Sequence, residues 1–150
     1  MSTQSRRVSV KPSDAVNDDE NLKSKEYTQN TYDVEKMLEL YVSAWKSHNV
    51  ETILSFYTPD CILRELRSKT VYRGHQQITR FVKAKFLDCP DLKMQLTLVF
   101  GYGDRWCAEV CWFGTYGKLG HNFERSGKFF FDLGIIIFGL KNGKIQTESR

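Results

Sequence analysis

The sequence predicts an α+β fold, with helices gathered in the first half and an antiparallel sheet in the second, the helices lying on one face of the sheet. Two observations carry that expectation. Up to Pro90 the apolar residues recur at helical spacing, and from Leu92 onward they alternate with period two. The alternating segments are also joined by short turns, at residues 101–104 and 141–143, as hairpins are and crossovers are not.

Each element has its own signal. Asp33 can cap a first helix on which Val34, Met37, Leu38, Tyr41, Val42 and Trp45 form one apolar stripe. His48-Asn49 ends it, and Asn49 can cap a short second helix that buries Val50, Ile53, Leu54 and Tyr57. Thr58-Pro59-Asp60 reads as a turn, residues 61–66 as a short strand and residues 67–74 as a loop. Gly74 leads into a third helix with Ile78, Phe81, Val82 and Phe86 on one face, closed by Asp88-Cys89-Pro90.

In the second half, Leu92, Met94, Leu96, Leu98 and Phe100 share one face of a strand. On the next strand Trp106, Ala108, Val110 and Trp112 face one way, and Cys107, Glu109, Cys111 and Phe113 the other. A polar loop over 117–127 precedes a long strand over 128–140, with a kink or bulge expected at Gly134. A last strand starts at Lys144. The long strand is apolar on both faces, from Phe129-Phe130-Phe131 to Ile135-Ile136-Ile137. One face can pack on the helices and the other needs a cover, most simply a second copy of the chain. A homodimer through the outer face of the sheet is the expectation.

Residues 1–31 are polar, and Val8, Val10, Val16 and Leu22 are too sparse to make a core face. They read as a disordered tail before a single domain over 32–150. Within the tail, Arg6-Arg7-Val8-Ser9 has a spacing that basic-directed kinases favour. The net charge of +4 is spread over lysines and arginines scattered among acids, so no basic stripe for nucleic acid is expected. No apolar run reaches the length of a membrane span, and no N-terminal segment resembles a secretory signal, so the expected location is cytoplasmic. Reduced thiols are then expected for Cys61, Cys89, Cys107 and Cys111. Cys107 and Cys111 stand about 13 Å apart on an extended strand, too far to share one zinc. No metal or cofactor is expected.

Three segments resemble one superfamily. They are Phe56-Tyr57-Thr58-Pro59-Asp60-Cys61, Tyr72-Arg73-Gly74-His75-Gln76-Gln77-Ile78 and Phe138-Gly139-Leu140-Lys141-Asn142-Gly143-Lys144-Ile145. In order and spacing, over residues 33–150, they resemble the NTF2-like / SnoaL-like superfamily of nuclear transport factor 2, ketosteroid isomerase, scytalone dehydratase, limonene epoxide hydrolase and the SnoaL-type polyketide cyclases. The resemblance implies a cone-shaped fold, three N-terminal helices packed on a curved antiparallel sheet around a small-molecule pocket. It also implies that the last strand continues beyond the turn in relatives, so that the C-terminus here is trimmed. The function it implies is a cofactor-independent isomerase, cyclase or dehydratase acting on a hydrophobic polyketide- or terpenoid-like molecule. A non-catalytic ligand-binding or dimerisation module, or a protein-transport adaptor, is the alternative.

Residues 40–65 run in register with ketosteroid isomerases. The resemblance therefore places Tyr41 at their oxyanion-donating tyrosine and Glu65 at their carboxylate base. Their third polar position, an acid in the long strand, falls on Ile136, which removes one catalytic group. Read from the residues alone, Tyr41 is a buried ring whose hydroxyl needs a partner, either a donor to substrate or a satisfied core tyrosine. Glu65 is a base with a raised pKa if its face is the inner one, or a rim glutamate paired with Arg64 or Arg67. Asp132, an acid within an apolar run, is a second candidate for proton transfer. Glu109 either faces the cone or binds across the sheet to a lysine, and His121 sits on a loop near the mouth. Trp45, Tyr57, Phe81, Trp106 and Trp112 are candidate walls of an aromatic pocket. An open cone holding an acid favours an enzyme, and a cone plugged by Phe and Trp favours a module.

Overall fold

Burial of the first apolar stripe sets the architecture. In a computed structural model, which describes residues 18–150, the stripe from Val34 to Trp45 lies on helix α1 (Asp18–Lys46). Asp33 is a mid-helix residue that accepts a hydrogen bond from Gln29 Nε2 at 2.9 Å, not a cap. Residues 18–31 are thus helical where a disordered tail was expected. They contain no proline or glycine, the two residues that most oppose a helix interior. Residues 1–17, with the serine at position 9, lie outside the described residues.

The chain leaves α1 through His48 in the left-handed region (φ 56°). Asn49 Oδ1 then accepts from Thr52 N at 3.0 Å and caps α2 (Val50–Ser55), as its side chain suggested. Strand β1 (Tyr57–Glu65) starts at once, so Tyr57 and Thr58-Pro59-Asp60 belong to a strand, not to a helix and a turn. Part of the expected loop is β2 (Thr70–Arg73), a hairpin partner of β1. Helix α3 (Gly74–Asp88) buries Ile78, Phe81 and Val82. Four strands complete the fold: β3 (Lys93–Tyr102), β4 (Arg105–Thr115), β5 (Phe129–Lys141) and β6 (Lys144–Ser149). A 3-10 turn at Phe123–Arg125 interrupts the loop between β4 and β5.

The six strands form one sheet in the order β2-β1-β6-β5-β4-β3, with α1 and α3 packed against it. The sheet is mixed, not wholly antiparallel: β6 returns between β5 and β1 and pairs with β1 in parallel. Hairpin signals report only sequence neighbours, so they gave no hint of this pairing.

Register decides which side chains enter the cone. Leu96 pairs with Val110, but Leu98 pairs with Glu109, so Thr97 is an extra residue in a bulge. The bulge reverses the alternation: Met94 stays buried, whereas Leu98 and Phe100 swing to the outer face. By contrast, β5 pairs with β4 without interruption from Gly139 to Phe129, so the bulge expected at Gly134 is absent. The outer face exposes Leu98, Phe100, Phe129, Phe131, Leu133, Ile135 and Ile137, each between 50% and 68%. Among the described residues, no helix is long and apolar enough to cross a membrane.

Candidate active site in the cone

The inner face of the sheet and the stripe of α1 enclose an apolar interior containing one fully buried acid, Glu148 on β6. Its register partner on β5, Phe138, is an inner-face residue, and this places the carboxylate under α1. There Tyr57, the first residue of β1, donates its hydroxyl proton to Glu148 Oε2. Tyr41 on α1 donates to the same oxygen at 3.0 Å, and the two hydroxyls lie 2.9 Å apart.

Arg150 closes the network. Its backbone is pinned beside β1, with its N–H donating to Arg64 O at 3.0 Å and its carbonyl accepting from Leu66 N at 2.7 Å. The side chain turns back into the cone. Nε donates to Glu148 Oε1 at 2.5 Å, and Nη2 donates to the same oxygen and, at 2.9 Å, to the Tyr41 hydroxyl. The guanidinium carbon lies 4.9 Å from the Trp112 ring, 5.2 Å from Trp45 and 5.4 Å from Phe81, an aromatic box around a cation.

These contacts fix the protonation states. Burial, and then the Glu148 charge, pushes the Tyr41 hydroxyl well above the usual tyrosine range, and the same two causes raise Tyr57. Both therefore stay protonated donors. Burial works against the charge on Arg150, but the adjacent Glu148 carboxylate outweighs it and holds the guanidinium charged.

Among the described residues, two buried side-chain polar atoms lack a hydrogen-bond partner, Trp45 Nε1 and Thr58 Oγ1. The Trp45 indole N–H is fully buried with no hydrogen-bond partner. It approaches the Tyr41 hydroxyl closely enough to favour that group's ionised form, but no hydrogen bond forms. Trp45 itself is wedged edge-on between Trp112 (5.3 Å between centroids) and Phe86 (5.5 Å). The space between α1 and the sheet, against Leu38, Tyr41, Met94, Ile136 and Phe138, is too narrow for a water molecule. The cone is therefore filled by side chains, Arg150 among them.

The candidate residues separate into three groups. Tyr41 and Tyr57 meet in the network, and Trp45, Phe81 and Trp112 wall it, with Ile136 beneath. Glu65 lies at the end of β1, bound to Lys85 Nζ at 2.5 Å and Ser68 Oγ at 2.6 Å, not to Arg64 or Arg67. Partial burial pushes its carboxyl up, but Lys85 and Ser68 outweigh that and hold it below the usual range, the reverse of the raised value expected for a base. Asp132 pairs with Trp112 and so shares the inner face, but it is exposed near the mouth and is not a buried acid.

The third group takes no part in the network. Glu109 is on the outer face and accepts from Thr97 Oγ1 at 2.8 Å, with no lysine across the sheet. Trp106 is buried and donates to Gly103 O at 2.9 Å, closing the β3–β4 hairpin. His121 is exposed and bound to Asp88. All four cysteines are free, and among the described residues no cluster of His, Cys, Asp and Glu is arranged to hold a metal ion. The sequence reading missed Glu148 and Arg150. The available signal was a glutamate two positions from an arginine in the last strand, where alternation sends both to one face.

The model of the SnoaL-like polyketide cyclase family matches residues 35–150. No curated protein sequence matches the chain. Among solved structures, the chain is similar to a SnoaL-like polyketide cyclase homologue from Jannaschia sp. CCS1, with TM-score 0.70 and 15% identity over 79% of this chain and 83% of that one. A polyketide cyclase homologue from Xanthomonas campestris pv. campestris gives TM-score 0.67 and 19% identity over 79% and 88%. A ketosteroid-isomerase-like protein from Catenulispora acidiphila, solved with trimethylamine, gives 0.66 and 12% over 75% and 82%. At these identities the likeness concerns the fold.

Proposed function

We propose that this chain, which belongs to the SnoaL-like polyketide cyclase family, binds a hydrophobic ring compound in its cone and catalyses proton transfer next to a carbonyl, as in cyclisation or isomerisation. The observation that carries this reading is the fully buried Glu148 carboxylate, held between two protonated tyrosines and a charged arginine inside aromatic walls. A polyketide- or terpenoid-like molecule matches those walls.

Catalysis would proceed by an exchange of partners. A bound carbonyl oxygen takes the Tyr41 hydroxyl away from Glu148, and the lone pair released on Oε2 accepts the proton from the adjacent carbon. The enolate oxygen is then stabilised by Tyr41 and by the Arg150 charge, in surroundings where water is excluded. Glu148 thus takes the role first assigned to Glu65 or Asp132. Because the resting cone is filled, a ligand has to displace a side chain. Arg150, long and 11% exposed, can shift without leaving Glu148, so that its charge stays beside the bound oxygen.

The test is deuterium incorporation from D₂O into enolisable polycyclic ketones, followed by NMR. Wild-type protein should accelerate exchange, and Glu148→Gln should lose about a hundredfold or more of that rate, the usual contribution of a general base. Equal exchange by both proteins removes Glu148 from the chemistry. A second reading, a non-catalytic binding module, draws on the filled cone; it predicts ligand binding with no exchange. We also propose that two copies associate through the apolar outer face of the sheet.

A further inference from the structure

Hydrogen bonding in the cone is unbalanced towards donors. Both oxygens of Glu148 are taken, Oε1 by Arg150 and Oε2 by the two tyrosines. On Arg150, Nε and Nη2 are engaged, and among the described residues Nη1 makes no hydrogen bond. Among the described residues the Trp45 N–H approaches the Tyr41 hydroxyl but completes no hydrogen bond, and it is fully buried, a costly state for a donor. Within the network the carboxylate charge is matched by the guanidinium, so a second cation would meet Arg150 with no anion to answer it.

We infer that the cone takes its ligand by an accepting oxygen, a ketone, enolate or carboxylate, which the Trp45 indole N–H receives beside the Arg150 guanidinium. Trp45 is then a specificity-determining donor as well as a wall: it selects oxygen-bearing rings over amines of the same shape. An acceptor there satisfies the orphaned N–H, and a site with a donor left unpaired discriminates strongly against ligands that lack the matching group. The inference rests on the reading of the cone as a small-molecule site and deepens it.

Four naphthalenes differing in one substituent test it: 2-acetylnaphthalene, 2-naphthoate, 2-methylnaphthalene and 2-naphthylmethylammonium. Affinities come from calorimetry. The Trp45 indole signal, assigned with Trp45→Phe, is followed in ¹H–¹⁵N spectra. The ketone or the carboxylate should bind about tenfold or more tighter than the ammonium and move the Trp45 N–H signal downfield. Trp45→Phe should lose that margin, so that within the variant the ketone and the carboxylate bind no tighter than the ammonium. An unmoved Trp45 signal at saturation, or an ammonium that binds as tightly, overturns the inference. If 2-methylnaphthalene binds and the oxygen adds nothing, the cone remains a ligand site and only the role of Trp45 falls. If none of the four binds, both fall. Binding as expected without deuterium exchange leaves the inference standing and removes the catalysis.

Discussion

Arg150 and Glu148 illustrate why a buried ion pair is best tested in both halves. Each charge is removed from water, and the desolvation cost is offset only because each faces the other and the two tyrosines. Arg150→Met should therefore cost about 3–5 kcal/mol, since it strands a buried carboxylate. The double variant Arg150→Met with Glu148→Gln should recover much of that loss, because no uncompensated charge remains. Chemical denaturation of the wild type, both single variants and the double variant measures this, and strictly additive losses would mean the pair is not coupled. Tyr41 was legible in the sequence because it sits mid-stripe on a helix, where spacing alone predicts burial. Glu148 and Arg150 were not: Gln146-Thr147-Glu148-Ser149-Arg150 has the composition of a solvated end, and only its neighbours in space bury it.

At the scale of elements, local signals held where local forces decide. The Asn49 cap, the buried face of α3 and the β3–β4 hairpin were readable because each depends on residues a few positions apart. The Thr97 bulge and the parallel β1–β6 pairing depend on how strands meet, and periodicity carries no trace of either. Gly101 shows how tightly the hairpin closes: a Cβ there would lie 2.4 Å from Arg105 O and 2.7 Å from the Trp106 Cα. Gly101→Ala should lower the melting temperature by several degrees, corresponding to about 1–3 kcal/mol of overpacking; an unchanged melting curve would show that the hairpin yields freely.

The link from β1 to α3 through Glu65 and Lys85 makes a pH prediction. A carboxyl held below its unfolded value stabilises the fold above about pH 4.3, and that contribution is lost as pH falls through the lower folded value. The stability gap between wild type and Glu65→Gln should therefore be constant from pH 7 to about 5 and close below about 4. Lys85 is 37% exposed, so the gap is small, about 1 kcal/mol or less. A gap that widens on acidification would mean Glu65 is poised as a base after all.

For the whole molecule, the outer face of the sheet is the dominant unspent surface. Seven large apolar side chains on β3 and β5, each at least half exposed, exceed what scattered surface residues explain. Wild-type protein should sediment as a dimer at micromolar concentration, and Leu133→Lys with Ile135→Lys should give a monomer with its cone network intact. A monomeric wild type would refute the association. The path of β6 has a consequence of another kind. Strands β1 and β2 on one side and β3 to β5 on the other are joined within the sheet only by β6. The chain must therefore bring together residues 91 positions apart, Tyr57 and Glu148, before the two halves become one sheet. Such distant closure is slow. The strand that seals the sheet also carries Glu148 and leads directly into Arg150, so the chain acquires its buried charge network and its joined sheet in a single step.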